Sequence, residues 1–233
     1  MCGRFAMTLP VDAMAGLFDA VPDPVAAEIP VPRYNVSPTQ TIPVVTGDAD
    51  AGRRIEPLRW GFIPHWYKTK SDGPLLINAR AETLAEKPAF RKSARSRRCI
   101  IPASGFYEWK RAGDGGKQPF YMRDAQAPLL AMAGIWRDWT DAEGQVTRSC
   151  AIVTCAANKA MADLHHRMPV LLAASDYGLW LGEEGHGAAR LMVPAPEDQL
   201  LFEEADRALN GARVDRPFTS SQAAAETAGR AEG

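Results

Sequence analysis

The chain has 233 residues, of which 46% are hydrophobic and 24% are charged, and its formal net charge is −1. These proportions are typical of a globular domain and exclude a disordered chain. No apolar run approaches membrane-spanning length, and no leader-peptide pattern follows the N-terminus. We therefore expect a cytoplasmic protein without membrane association, whose own N-terminus stays intact as a functional group.

In chain order, the apolar spacing from Val11 to Ala20 predicts an amphipathic helix. Short β-rich runs follow at 41–63, 118–138 and 147–154, and residues 141–144 are a candidate hairpin turn. Further helices are predicted near four ranges: 83–95, 155–166, 175–181 and 196–210.

Many short strands without a βαβ repeat favour an α+β fold. We expect a single compact domain of mostly antiparallel strands with a barrel-like core, flanked by helices and carrying a basic groove. Residues 1–219 are assigned to this domain. Residues 220–233 are small and polar, and we expect them to form a disordered tail.

Cys2 is the most informative residue of the chain, because removal of Met1 would leave a free α-amine and a thiol on one residue. Their ordinary pKa values are about 7.7–8.0 and about 8.5, so both nucleophiles are partly available near neutral pH. A 1,2-aminothiol condenses with an aldehyde and closes to a thiazolidine ring. The alternative is that Met1 is retained and Cys2 is an ordinary small residue.

Charge is segregated along the chain: residues 1–51, 52–123 and 124–233 carry net charges of −4, +10 and −7. The basic segment contains a cluster of five cations: Arg91, Lys92, Arg95, Arg97 and Arg98. It also contains three aromatic residues: Trp60, Trp66 and Tyr67. Cations interleaved with aromatic faces suit unstacked nucleic-acid bases. A solvated charged face is the alternative.

The segment from Leu75 to Thr83 has more polar groups than a core strand normally tolerates. If it begins as a strand, then Asn78, Arg80 and Glu82 project from one face. An amide, a guanidinium and a carboxylate in a row can bind a polar, anionic ligand. They can equally form a structural salt-bridge ladder.

Two other segments carry candidate acid–base groups. Glu108 lies between Tyr107 and Trp109 after an apolar run, and partial desolvation there would raise its pKa toward neutrality. The alternative is a buried carboxylate paired with an arginine. His165 and His166 precede an apolar strand, at a junction where a histidine can point into a cleft, although surface histidines are common.

The other three cysteines, Cys99, Cys150 and Cys155, lack CxxC spacing and lie in apolar contexts. This pattern predicts buried thiols rather than disulfides or zinc ligands. A metal site that joins Cys155 with His165 and His166 is a weaker alternative. We expect neither a metal nor a cofactor.

Seven segments, in order, resemble the SRAP (SOS response-associated peptidase) family of abasic-site processing proteins. They are MCGRF at 1–5, RYNVSP at 33–38, RWGFIPHW at 59–66, NARAET at 78–83, IPASGFYEW at 101–109, AIVTCAAN at 151–158 and HHRMPV at 165–170. Together they span residues 1 to about 210, and the combination is highly specific although each segment alone is weak.

The resemblance implies four catalytic residues. Cys2 would be the nucleophile that forms a thiazolidine with the ring-opened aldehyde of an abasic site, and Asn78 would hold the abasic sugar. Glu108 and His165 would be the acid–base groups near the reacting sugar.

The resemblance also implies DNA-binding residues. Those expected to bind phosphate are Arg4, Arg80, Thr154 and Arg167. Those expected to pack on exposed nucleotides are Pro38, Trp66 and Tyr67, where Tyr67 stands at a position that we expect to be Trp in many relatives. Arg4 and Arg80, placed near Cys2, would favour the thiolate and lower the pKa of the amine.

By this resemblance, the chain would sense abasic sites in single-stranded DNA and cap them covalently in the DNA damage response. It would act at replication forks as a monomer, associated with the nucleoid when bound to DNA. Two alternatives stay open. One is an N-terminal-nucleophile amidohydrolase or peptidase that uses Cys2, and the other is a non-covalent single-strand DNA-binding module. An AP-lyase step and autocatalytic removal of Met1 are also left open.

Overall fold

The computed structural model describes residues 2–48 and 51–217. The strands are β1 Arg4–Met7, β2 Ala20–Pro22, β3 Arg33–Val36, β4 Thr41–Asp48, β5 Gly52–Trp60, β6 Asn78–Arg80, β7 Arg98–Ala103, β8 Gly105–Arg111, β9 Lys117–Asp124, β10 Leu130–Thr140, β11 Val146–Ala156, β12 Arg167–Pro169 and β13 Leu200–Glu204. The α-helices are α1 Val11–Phe18, α2 Pro24–Ala27, α3 Arg91–Ser96, α4 Lys159–Ala162 and α5 Tyr177–Leu181. Short 3₁₀ helices are Ala81–Thr83, Ala174–Asp176, Ala188–Leu191 and Arg207–Asn210.

Five strands of the larger sheet close into a barrel. In the order β11-β10-β7-β4-β5, neighbouring strands pair antiparallel. A short parallel pairing then joins β11 to β5, with Ser149 opposite Arg59 and Cys150 opposite Trp60. Because β5 ends at Trp60, β6 continues the pairing farther along β11, with Asn78 opposite Ile152. Closure thus places Asn78 at a defined position on the barrel wall.

The second sheet has the order β13-β9-β8-β1-β3, and its neighbouring strands are antiparallel. The N-terminal strand β1 is therefore held on both sides, by β8 and by β3. Phe5 of β1 packs its ring 4.9 Å from the ring of Trp60 on the barrel, and both residues are fully buried. Hydrophobic contact between the two sheets thus fixes the start of the chain against the barrel.

The local sequence explains several elements. Val11, Met14 and Phe18 are the buried face of α1, as their helical spacing predicts. The helix ends at Asp19, which adopts the left-handed conformation at φ 50°. The predicted hairpin turn is confirmed between β10 and β11, where Gly144 supplies the positive φ of 81° that the turn needs.

Three predicted helices are wrong in whole or in part. Residues 196–210 form β13 and a 3₁₀ turn, because β13 pairs along the edge strand β9. Only residues 159–162 of the predicted range 155–166 are helical, since β11 runs on to Ala156 to pair with β12. The range 83–95 contains turns and the first part of the short helix α3. The range 175–181 is helical, as predicted.

The α+β class and the barrel-like core of mostly antiparallel strands are confirmed. The predicted tail at 220–233 lies outside the described residues. In the part of the chain that the structure describes, helices are all too short or too polar to cross a lipid bilayer.

Candidate active site

The two sheets bring Cys2, Asn78 and Glu108 together. Cys2 directly precedes β1, whose antiparallel pairing sets Arg4 opposite Tyr107 and so brings the N-terminal residues alongside β8. The side-chain amide of Asn78 donates a hydrogen bond of 3.0 Å to the carbonyl oxygen of Cys2. The carboxyl of Glu108 acts electrostatically on the Cys2 thiol. Three candidates from separate segments therefore occupy one site.

The Cys2 thiol is buried, and its surroundings disfavour the thiolate. Cys2 is only 1% exposed, and its Sγ lies 4.0 Å from the carbonyl oxygen of Arg4. Burial raises the pKa of the Cys2 thiol well above its ordinary value, and the negative charge of Glu108 raises it further. The expectation that Arg4 and Arg80 would favour the thiolate is wrong for this conformation, because desolvation and Glu108 dominate.

Arg4 is directed by two other groups. Its guanidinium donates a hydrogen bond of 2.9 Å to Oδ1 of Asn35 and lies 5.7 Å from the ring centre of Trp109. The amide of Asn35 in turn donates to the carbonyl oxygens of Gly211 and Val214, at 3.2 and 2.7 Å. The C-terminal part of the described chain therefore fixes Asn35 and, through it, Arg4.

Glu108 lies in the middle of β8 and is 5% exposed, so the predicted desolvation of this carboxyl is confirmed. Its neighbour Tyr107 is fully buried and donates its hydroxyl to the carbonyl oxygen of Tyr34 at 2.8 Å. Glu108 pairs with Phe120 on β9, and the three residues before it in β8 pair with β1 on the other side, which holds its backbone in place. The carboxyl is thus preorganised beside the Cys2 thiol.

Arg167 is bound within the protein by Glu82 and Thr154. Its two terminal nitrogens donate to the two carboxylate oxygens of Glu82 at 2.7 and 2.9 Å, a bidentate ion pair. One of them also donates to the carbonyl oxygen of Thr154 at 2.6 Å. Thr154 is fully buried and Arg167 is 9% exposed. For Glu82, the salt-bridge alternative is therefore correct, and the phosphate-binding roles of Thr154 and Arg167 stay predictions.

His165 is half-buried, and its ring is held in place by the backbone of Arg167. Its Nδ1 lies 2.9 Å from the amide nitrogen and 3.1 Å from the carbonyl oxygen of Arg167. The ring also stacks on His166, with centroids 4.4 Å apart. The electrostatic effect of the adjacent His165 is the largest of the causes that lower the pKa of the exposed His166. Backbone and stacking contacts thus orient His165.

The strand pairing also connects the remaining candidates. Thr154 on β11 pairs with Arg80 on β6 and with Pro169 on β12. Arg80 is exposed and Asn78 is half-buried, whereas Ala79 between them is fully buried. This alternation is the one that the strand pattern predicts. These residues therefore lie on adjoining strands of one wall, next to the segment that carries His165.

The aromatic candidates lie on the loop between β5 and β6. Trp66 is 50% exposed, whereas Tyr67 is half-buried and its hydroxyl lies 3.5 Å from the carbonyl oxygen of Pro74. Pro38 is half-buried in the turn before β4, next to Thr39, whose amide donates to the carbonyl oxygen of Trp60. Their packing on nucleotides stays a prediction.

Sequence reasoning missed Asn35 and the role of Trp109. An open cavity of about 400 Å³ is lined by Gly3, Arg4, Trp109, Lys117 and Asn210. The indole nitrogen of Trp109 donates to Oδ1 of Asn210 at 2.7 Å, which fixes the ring. The available signal was an asparagine flanked by apolar strand residues, since a buried amide there needs partners.

The other three cysteines are buried thiols, as predicted. Cys155 places its Sγ 3.9 Å from the carbonyl oxygen of Met168. Among residues 2–48 and 51–217, no group of three His, Cys, Asp or Glu side chains is arranged to hold a metal ion.

The model of the SRAP family, "SOS response associated peptidase", matches residues 1–212. The chain belongs to this family.

Its relatives include two proteins of Bacillus subtilis. The abasic site processing protein YoaM is 42% identical over 86% of this chain and 88% of its own length, and YoqW is 42% identical over 93% and 97%. The Escherichia coli abasic site processing protein YedK is 31% identical over 91% of this chain and 96% of its own length. A crystal structure of a Bacteroides thetaiotaomicron protein superposes with a TM-score of 0.79 at 26% identity, covering 88% of this chain and 93% of that one.

Proposed function

We propose that this chain captures abasic sites in single-stranded DNA covalently, through a thiazolidine ring on Cys2, in the response to DNA damage. The observation that carries the proposal is the convergence of Asn78 and Glu108 on Cys2, the residue that follows Met1. Family membership supports it, because the curated relatives are named abasic site processing proteins.

The reaction begins with hydrolytic removal of Met1, which frees the Cys2 amine. That amine attacks C1′ of the ring-opened deoxyribose, and loss of water gives an imine. The sulfur then adds to the imine carbon while the thiol proton passes to the nitrogen, which closes the thiazolidine. Holding the aldehyde beside the aminothiol makes the condensation intramolecular, a gain of up to about 7–11 kcal/mol.

Glu108 and His165 handle the protons. Because burial disfavours the Cys2 thiolate, the thiol needs a base when sulfur attacks, and the Glu108 carboxyl that acts on it is suitably placed. An acid–base group must also open the closed sugar, and the oriented ring of His165 serves this step. Asn78 supports the reaction by holding the Cys2 carbonyl.

The test is a denaturing gel of the purified chain with a single-stranded oligonucleotide that carries one abasic site. We expect a heat-stable, shifted band that is absent with an undamaged strand. Cys2→Ala should abolish the band, and so should one extra residue inserted between Met1 and Cys2. Cys155→Ala, a change at another buried cysteine, is the matched control and should retain it.

Glu108→Gln and His165→Ala should slow crosslinking by about 100-fold or more, the usual contribution of an acid–base group, with little change in DNA affinity. Absence of any band, when intact mass shows that the chain begins at Cys2, overturns the proposal. Glutamine hydrolysis by the same preparation would then favour the amidohydrolase alternative.

A further inference from the structure

A cluster of basic residues lies near one end of the barrel, outside the site around Cys2. We call it the Arg137 patch, and its members are His65, Arg91, Lys92, Arg97 and Arg137. A depression of about 310 Å³ lies within it, lined by Lys92, Ser93, Ser96, Arg97, Arg137 and Asp138. Three separate segments supply these residues: the loop after β5, the region of α3, and β10. The tertiary structure therefore adds Arg137 and His65 to basic residues that are already clustered in the sequence.

The cations of the patch are poorly neutralised. Among the described residues, Arg97 is the only one of the patch's four lysine and arginine cations that has a carboxylate partner, Asp138 at 2.9 Å. Asp138 is shared with Arg148, whose Nε lies 3.2 Å away, and Arg148 also pairs with Glu56. Three cations, Lys92, Arg97 and Arg137, therefore line the depression together with a single carboxylate, Asp138.

The side chains of Arg137 and His65 are in contact with each other. The Nη1 atom of Arg137 lies 3.4 Å from Nδ1 of His65, and its Nε donates to the carbonyl oxygen of Asp138 at 3.1 Å. Its Nη2 has no hydrogen-bond partner within residues 2–48 and 51–217. Partial desolvation lowers the pKa of His65, and the charges of Arg137, Lys92 and Arg91 lower it further. An anion in the depression would instead be attracted by the charges of Lys92, Arg97 and Arg137 that line it.

The patch is continuous with the exposed aromatic loop. The ring of His65 lies 5.0 Å from the ring of Trp66, whose indole is half exposed. Arg137 pairs with Ser149 on β11, three residues before Ile152, the partner of Asn78. Three strand residues span roughly 10 Å, so the patch lies within reach of a few nucleotides from Asn78.

We infer that the Arg137 patch binds phosphates of the nucleic-acid strand that flanks the lesion, as a second contact surface beyond the site around Cys2. This inference rests on the proposed function for its choice of ligand. The arrangement fits a polynucleotide because cations and an exposed indole lie side by side, and such surfaces bind single strands through backbone charge and base stacking.

The test measures equilibrium affinity for an undamaged single strand, so it does not depend on crosslinking. The double variant Lys92→Gln and Arg137→Gln removes two cations of the patch. Each phosphate contact contributes about 0.7 to the slope of log affinity against log salt for single strands. The variant should therefore bind more weakly and lower that slope by about 1.4. The matched control, Lys159→Gln with Arg190→Gln, removes two exposed cations elsewhere and should keep the wild-type slope.

Strand length supplies a second readout. The difference between the double variant and wild type should shrink on a strand too short to reach from the Cys2 site to the patch. An unchanged affinity and slope on the long strand overturn the inference and point to an acidic protein surface as the ligand. If the wild-type chain forms no crosslink while the slope difference persists, the proposed reaction fails and the patch assignment stands.

Discussion

Removal of the Glu82 carboxylate should destabilise the protein because it leaves the Arg167 guanidinium buried without its counter-charge. The Arg167 side chain is 10% exposed and that of Glu82 is 52% exposed. Hydrogen bonds to charged groups contribute about 1.5–3 kcal/mol each, but solvent screens the exposed carboxylate, and Arg167 keeps the Thr154 carbonyl. We therefore expect Glu82→Ala to cost about 2 kcal/mol.

For a chain of this size, that cost corresponds to a Tm decrease of about 4–8 °C in calorimetry. The matched control is Glu203→Ala, which breaks the pair with Arg123, whose side chain is 45% exposed. This exposed pair should contribute less than about 1 kcal/mol. Equal Tm decreases in the two variants would refute the argument from burial.

The same ion pair has a defined pH dependence. Hydrogen bonds from Arg167 lower the pKa of Glu82 in the folded state. The pair therefore stabilises the fold fully above the ordinary Glu pKa of about 4.3, and this contribution is lost as pH falls through the lower, folded value. The Tm difference between wild type and Glu82→Ala should shrink in acid, and a difference that grows there would contradict the assignment.

Two further predictions concern the thiol and the packing of the barrel. Glu108→Gln should lower the pKa of the Cys2 thiol and so speed its alkylation at pH 8, measured by mass spectrometry of the N-terminal peptide; an unchanged or slower rate would show that Glu108 does not act on the thiol. Gly134→Ala would place a Cβ 2.8 Å from Sγ of Cys99 and should cost about 1–3 kcal/mol in urea unfolding. Gly16→Ala, on an exposed face of α1 with open space around it, should instead stabilise by about 0.8–1 kcal/mol, and the reverse order would disprove the packing argument.

The well-predicted elements are those that local chemistry determines. The helix at Val11–Phe18 follows from its apolar spacing, and the hairpin at 141–144 follows from its turn residues. The helix predicted at 196–210 was wrong because the apolar and acidic residues there fit the repeat of a strand as well as that of a helix. Residues Leu200–Glu204 form a strand because they pair with β9, which is far away in the sequence.

The candidate site residues were singled out by a nucleophile near the N-terminus and by polar groups in apolar segments, and the resemblance to the SRAP family gave them their expected roles. The sequence did not predict the ionisation or the hydrogen-bond partners of these residues. Whether Cys2 is a thiolate depends on which charges surround it, and the fold places Glu108 there while Asn35 and Trp109 direct Arg4 elsewhere.

The sequence by itself determined the α+β class, the identity of Cys2, Asn78, Glu108 and His165 as candidates, and the excess of basic residues at 52–123. These properties depend on residue type and on spacing over a few positions. Only the tertiary structure decided the closure of the barrel, the burial of the Cys2 thiol, the ion pair of Arg167 with Glu82 and the approach of Arg137 to Lys92 and Arg97. Each of these depends on distances between segments far apart in the chain, and desolvation and Coulomb energies depend on such distances.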